Sequence, residues 1–202
     1  PATRSRLSFD TVRDLVPIMP IASMPVVMVV LPSKGWKTLR DYVEDGKKRE
    51  GGVNYSSAGA GNSSHLNGER FRLAANLSAV HIPTKGAPEA MMEVLAGRAD
   101  FYFAPLVAAL PLLKSGQLQA LAVAGSSRTT ALPDIPTTVQ AGYPNSDYNF
   151  WVGLFAPAKT PQPILDRMHA EVAKALVQPA VKAKLATLGA EPLDQLPEAE
   201  EG

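Results

Sequence analysis

The chain has 202 residues, of which 46% are apolar and 19% charged, and its formal net charge is +1. This composition is typical of a globular protein and excludes a disordered chain, and the near-neutral charge excludes a basic surface for nucleic acid. The lack of cysteine excludes disulfides, thiol catalysis and cysteine-ligated zinc, and the three histidines lack metal-ligand spacing, so we expect neither a metal nor a cofactor.

The sequence shows no segment that would direct or anchor it to a membrane. Its apolar runs are too short to span a bilayer, and no signal peptide is visible. Because the chain begins with Pro1 rather than Met, we expect it to be processed, trimmed or incompletely represented.

Strands and helices alternate four times between Val26 and Gly125. The β-branched run from Val26 ends at Pro32 and predicts a buried strand, and Thr38 is placed to cap the helix that follows it, over 39–50. Further strands are predicted at 52–56, 78–82, 100–104 and 118–125, with helices at 64–76, 85–98 and 105–116. Because the connections are short, we predict parallel strands in an α/β fold, with helices on both faces of the sheet.

The alternation breaks at residues 126–148, which are rich in proline and serine and predict a crossing segment or linker. Beyond it a strand is predicted at 150–158 and helices at 160–178 and 179–189. We therefore predict two lobes: 1–21 and 149–202 form a partial lobe one, and 22–125 form a complete lobe two. Lobe one offers one clear strand, too few for a sheet, so we expect part of the fold to be missing or supplied by a homodimer or swapped assembly.

The stretch YSSAGAGNSSHL, residues 55–66, joins a predicted strand to a predicted helix in lobe two. Ligands of open parallel sheets bind at such carboxyl ends of strands. Asn62 or Ser63 can cap the helix, whose free N–H groups and dipole then face the loop. The loop also offers glycines that allow close backbone approach and hydroxyls that can donate hydrogen bonds: Gly59, Gly61, Ser57, Ser63 and Ser64. This construction suits an anion.

Other functions of this loop are less well supported. The loop lacks the lysine of a phosphate-binding P-loop and the third glycine of a dinucleotide fingerprint. The neighbours Ser64 and His65 lie on different sides of a helix and make no nucleophile–base pair, so we expect no enzyme activity. A capped glycine-rich turn without a ligand remains an alternative. Lys85, before the next helix, is either a second wall of the same cleft or a surface lysine.

Five segments, in this order, resemble those of the tripartite tricarboxylate transporter receptors, the Bug-type periplasmic solute-binding proteins. They are FDTVRDLVPI, NYSSAGAGNSSHLNGERF, HIPTKGAPEAMMEVLAGRADFYF, LQALAVAGSSRTTALPDIPTTVQAG and WVGLFAPAKTP. The resemblance implies a two-lobed periplasmic-binding-protein fold of type II. It also implies that the family's N-terminal portion and final helix have no counterpart in this chain.

The resemblance further implies a periplasmic, non-catalytic receptor that captures a small carboxylate for membrane transporter subunits. The ligand residues that it implies are Ser57, Ala58, Gly59, Gly61, Asn62, Ser63, Ser64, Thr84, Lys85 and Ala104. Thr84 stands where the family usually has Tyr, and Ala104 where many relatives have Asp. Because Ala104 cannot balance an ammonium group, a simple or aromatic carboxylate is favoured over an amino acid. Two alternatives remain: an effector domain of a LysR-type transcription regulator, and an acyl hydrolase using Ser64 or Ser57.

Overall fold

The computed structural model describes residues 8–187 and 189–193, and the chain divides into two units. The elements in chain order are β1 (Leu15–Ser23), β2 (Val26–Val30), a 3-10 turn (Pro32–Lys34), α1 (Leu39–Lys48), β3 (Val53–Ser57), α2 (Ser63–Ala74), β4 (Ala79–Pro83), α3 (Ala87–Leu95), β5 (Phe101–Pro105), α4 (Leu106–Lys114), β6 (Gln119–Val123), β7 (Trp151–Pro157), α5 (Gln162–Leu176), α6 (Pro179–Thr187) and β8 (Glu191–Pro192). Unit 1 comprises the residues up to Met24 and from Trp151 onward, and unit 2 is Pro25–Phe150.

Unit 2 contains a five-stranded sheet in the order β4-β3-β5-β2-β6. Strand β3 is parallel to β4 and β5, whereas β2 is antiparallel to both β5 and β6. The predicted α/β fold is confirmed, but the prediction that the strands are parallel is wrong for β2. All five residues of β2 are buried. A continuous apolar run of this kind indicates that both faces of the strand are buried, but it does not indicate the direction of the strand.

Helices cover both faces of this sheet, as the sequence predicts. Alternate residues of the central strands face two apolar clusters, since Phe101 and Phe103 contribute to one and Tyr102 to the other. Helices α1 and α2 supply Tyr42 and Phe71 to the first cluster, and α3 and α4 complete the second. Helix α1 begins as predicted at Thr38, whose side chain accepts a hydrogen bond from the Asp41 N–H in a capping box.

Residues 126–150, most of which are predicted to be a crossing segment, belong to unit 2 and pack against the rest of it. Val123, at the end of β6, donates to the Pro136 carbonyl at 2.9 Å, and the Thr138 N–H donates to the Val123 carbonyl at 2.9 Å. Tyr148 and Phe150 pack against the first apolar cluster. The segment therefore pairs with one end of the edge strand β6, where unpaired backbone groups would otherwise be exposed.

Unit 1 contains a three-stranded sheet in the order β7-β1-β8, in which β1 is antiparallel to both neighbours. The prediction that this lobe lacks the strands for a sheet is therefore wrong. Strand β1 was missed because Pro17 and Pro20 interrupt it, and proline removes a ladder donor. The register of β1 against β7 is irregular next to both prolines. Among the described residues, no helix is long and apolar enough to cross a membrane.

Candidate functional site

A cavity of about 370 Å³ opens in unit 2 at the edge of the sheet where β3, β4 and β5 end. Because these three strands are parallel, their carboxyl ends meet at one edge, and this is the position at which open α/β sheets bind ligands. The antiparallel strand β2 begins at the same edge, where Val26 pairs with Pro105 and both residues line the cavity.

Three helices begin around this cavity. Ser63 and Ser64 of α2, Ala87 of α3 and Pro105, the residue before α4, all line it. The N-terminal end of each helix carries a partial positive charge and free N–H groups. The three ends together make an environment that favours an anion.

Helix α2 is capped by Asn62, whose Oδ1 accepts a hydrogen bond from the Ser64 N–H at 3.1 Å. This agrees with one of the two caps that the sequence allowed. Within the described residues, the N–H groups of Ser63 and His65, in the same first turn, have no acceptor. They are the backbone donors of this helix that a bound anion could use.

The hydroxyls of Ser57 and Ser64 are occupied by internal hydrogen bonds. Ser57 is fully buried, with Oγ 2.6 Å from Nε2 of His81, and it does not line the cavity. Ser64 Oγ accepts from the Ala58 N–H at 3.0 Å and donates to Asn62 Oδ1 at 3.2 Å. Ser63 is the half-exposed serine of the three, and its Oγ donates to the exposed Asn62 side chain.

Several predicted ligand residues shape the loop instead of lining the cavity. Gly59 and Gly61 have φ values of +130° and +75°, which glycine adopts far more readily than other residues. The Gly61 N–H donates to Nδ1 of His65 at 3.1 Å. Thr84 Oγ1 lies 2.9 Å from the carbonyl oxygens of both Ser57 and Gly86, and it thereby joins the loop before α2 to the loop before α3.

The structure places five of the ten predicted residues on the cavity wall. These are Ala58, Asn62, Ser63, Ser64 and Lys85. The other five, Ser57, Gly59, Gly61, Thr84 and Ala104, do not line it. Ala104 is fully buried in the apolar cluster beneath α3 and α4, so its side chain gives no information about an ammonium group. The residues described as lining the cavity nevertheless include no Asp or Glu, which disfavours a cationic ligand group there.

Sequence reasoning missed the aromatic walls of the cavity and the cavity residue Asn67. Tyr102 and Phe103 come from β5, and Tyr148 and Phe150 come from the segment predicted to be a linker. Burial raises the pKa of the Tyr102 hydroxyl to about 12, so this group is neutral. Asn67 lies one helical turn after Ser63, and this spacing on α2 was a signal that could have identified it.

Asn67 is fully buried, and neither its Oδ1 nor its Nδ2 has a hydrogen-bond partner among the described residues. Buried polar side chains in proteins are usually hydrogen-bonded, so a side chain that lacks both partners at a cavity wall needs an explanation.

A histidine pair lies beneath the loop. The rings of His65 and His81 are stacked with centroids 4.0 Å apart, and the ring of Tyr55 stacks on His81 at 4.9 Å. Burial, together with the neighbouring His65, lowers the pKa of His81. The close pair of Ser57 and His81 is a nucleophile–base arrangement that the sequence did not predict, but its serine has no exposed surface.

Comparison with known proteins identifies the family. The family model described as "Tripartite tricarboxylate transporter family receptor" (TctC) matches residues 1–198. The UPF0065 protein in the tcbD-tcbE intergenic region of Pseudomonas sp. strain P51 is 30% identical, over 96% of this chain and 58% of its own length. The chain thus spans less than two thirds of the length of that curated relative.

Solved structures share the fold. A structure described as a periplasmic transporter has a TM-score of 0.87 and 32% identity, over 98% of this chain and 66% of its own. An R. palustris protein with adipate has a TM-score of 0.86 and 27% identity, over 94% and 64%. MatC from Rhodopseudomonas palustris with bound malate has a TM-score of 0.83 and 28% identity, over 99% and 67%. The chain therefore belongs to the tripartite tricarboxylate transporter receptor family, with the α/β fold of periplasmic binding proteins.

Proposed function

We propose that the protein is a periplasmic solute-binding receptor that captures a small organic carboxylate for a membrane transporter of the tripartite tricarboxylate type. The observation that carries this proposal is the cavity at which the N-terminal ends of α2, α3 and α4 meet. Membership of the receptor family supports it, as does the presence of adipate and malate in two related structures, because both compounds are carboxylates.

The ligand carboxylate is proposed to lie against the first turn of α2. Its partners there are the free N–H group and the hydroxyl of Ser63, with the Lys85 ammonium as a counter-charge, and both residues line the cavity. The free N–H group of His65 is a further donor in the same helical turn, although His65 does not itself line the cavity. Hydrogen bonds to a charged group each contribute about 1.5–3 kcal/mol, so the loss of one should lower affinity on the order of tenfold or more. The aromatic walls from Tyr102, Phe103 and Tyr148 would cover the apolar body of the ligand.

The other predicted ligand residues are proposed to act indirectly. Thr84 holds the two loops together, and Ser57 fixes the end of β3 through His81 and the Gly59 carbonyl. We therefore expect their replacement to weaken binding by displacing the loop, with a parallel loss of stability.

Binding of a carboxylate panel, measured by isothermal titration calorimetry, tests this proposal. Suitable ligands are adipate, malate, succinate and benzoate. Ala58 lines the cavity and Ala60 is exposed in the same loop, so Ala58→Leu and Ala60→Leu form a matched pair. We expect Ala58→Leu to weaken binding at least tenfold by filling the cavity and Ala60→Leu to leave it unchanged. Failure of every carboxylate to bind, or equal binding by the two variants, would contradict the proposal.

The receptor is proposed to be non-catalytic, because Ser57, which lies beside His81, is sealed from solvent. Incubation with p-nitrophenyl acetate should give no turnover above that of the Ser57→Ala variant. Sustained hydrolysis that this substitution abolishes would favour the acyl hydrolase alternative.

A further inference from the structure

Asn67 places a complete amide group, donor and acceptor, at the cavity without a partner for either atom. It is fully buried on α2, and both Oδ1 and Nδ2 lack hydrogen bonds within the described part of the chain. A buried polar group that stays unpaired destabilises the folded state. Leucine has a similar size and carries no such cost, so a fully buried asparagine at this position indicates that something else satisfies the amide.

The rest of the cavity wall indicates which part of a ligand reaches Asn67. The free N–H groups of the first turn of α2, at Ser63 and His65, suit the charged end of a carboxylate. Asn67 lies one turn further along the same helix, about 6 Å from that end. A group attached one to three bonds from the carboxylate carbon could span this distance.

The chemistry of the amide selects the group. A carboxylate oxygen accepts from Nδ2 but offers no proton to Oδ1, so it leaves the acceptor unpaired. An ammonium donates to Oδ1 but cannot accept from Nδ2, and no Asp or Glu appears among the residues described as lining the cavity to balance it. A hydroxyl or a carboxamide both donates and accepts, and either one satisfies both atoms of the amide.

We propose that Asn67 is a specificity-determining residue, and that the receptor takes carboxylates that carry a neutral hydroxyl or carboxamide group near the carboxylate. This inference rests on the proposed function, because it assumes that a carboxylate occupies the cavity. A site built to hydrogen-bond a ligand group discriminates strongly against the analogue that lacks the group.

Matched ligand pairs test the inference by calorimetry on the wild-type protein. Malate and succinamate are each compared with succinate, and mandelate is compared with phenylacetate. We expect the hydroxylated or amidated member of at least one pair to bind about tenfold more tightly or better. The Asn67→Leu variant should reduce that ratio to about one, because the apolar side chain no longer distinguishes the two ligands.

Thr138→Val is the matched control for this substitution. Thr138 is also fully buried and its Oγ1 has no partner among the described residues, but it does not line the cavity. Both substitutions remove an unpaired buried polar group, so both proteins should remain folded, and only Asn67→Leu should change the ratio.

The calorimetric results distinguish a failure of the Asn67 inference from a failure of the proposed function. If carboxylates bind but no pair shows a preference in the wild-type protein, the inference about Asn67 is overturned and the proposed function stands. A preference that survives Asn67→Leu also overturns the inference. If no carboxylate binds at all, the proposed function and the inference fail together.

Discussion

Replacing the two adjacent serines at the start of α2 by alanine should affect different properties. Ser64→Ala should lower stability, and Ser63→Ala should lower carboxylate affinity. Ser64 is buried and its Oγ accepts from the Ala58 N–H at 3.0 Å, so Ser64→Ala leaves this N–H without its partner. Each buried group left unpaired costs about 1–3 kcal/mol. We expect a loss of about 1–3 kcal/mol, which lowers the melting temperature of a protein of this size by roughly 2–12 °C.

Ser63→Ala is the matched control. The Ser63 hydroxyl donates to the exposed Asn62 side chain, which already accepts from the Ser64 N–H. Stability should therefore change by less than about 0.5 kcal/mol, while carboxylate affinity should fall on the order of tenfold through loss of a hydrogen bond to a charged group. Thermal unfolding by circular dichroism and calorimetric titration measure the two effects. Equal melting temperatures for the two variants would refute this assignment of the hydroxyls.

Three further predictions concern stability. Burial holds the pKa of His81 below its ordinary value of 6.5, so on acidification the unfolded chain takes up this proton before the folded one. The contribution of His81 to stability should therefore be fully present above about pH 6.5 and decrease as the pH falls below it. His81→Gln should flatten the fall in melting temperature over this range, and an unchanged slope would contradict the assignment. Asp100→Ala removes the buried carboxylate that pairs with an arginine guanidinium at 2.8 Å, and it should lower the free energy of unfolding by about 2–4 kcal/mol in denaturant titrations. Glu171→Ala, in an exposed ion pair, should lower it by less than about 0.5 kcal/mol. Similar losses in the two variants would contradict this difference. Gly51 and Gly52 both have positive φ, but only at Gly52 would an added Cβ meet a backbone carbonyl oxygen, at 2.2 Å. Gly51→Ala should therefore lower the free energy of unfolding by about 1 kcal/mol, and Gly52→Ala should lower it clearly more. The reverse order would contradict this geometry.

The local pattern of residues determined most of unit 2. The β-branched run of β2, the cap at Thr38 and the alternating apolar residues of β5 are short-range signals, and the structure contains each of these elements. The glycine–serine loop before α2 was also identified from local features, because a turn, a cap and free N–H groups are all encoded within a few residues.

Long-range features could not be read in the same way. The direction of β2 depends on which strands it joins, and its uniform burial is compatible with either direction. Strand β1 is interrupted by Pro17 and Pro20, and only its pairing with β7 and β8 shows that it is a strand. Tyr148 reaches the cavity because residues 126–150 pack against the rest of unit 2, and the sequence of that segment indicates only turns.

The hydroxyls of the ligand loop show a related limit. Sequence counts Ser57, Ser63 and Ser64 as equal donors, but Ser57 Oγ lies 2.6 Å from Nε2 of His81 on a neighbouring strand. Ser64 Oγ is engaged by the Ala58 N–H and by Asn62 once the loop has folded. Which donor remains free for a ligand is therefore a property of the folded unit and not of the loop sequence.

The central claim is that a carboxylate binds where three helices of unit 2 begin. A crystal structure of the protein with a bound carboxylate tests it most directly. We expect the carboxylate oxygens to lie within hydrogen-bond distance of the Ser63 and His65 N–H groups, and the body of the ligand to lie between Tyr102 and Tyr148. A ligand carboxylate bound elsewhere, with the first turn of α2 contacting only solvent, would contradict the account.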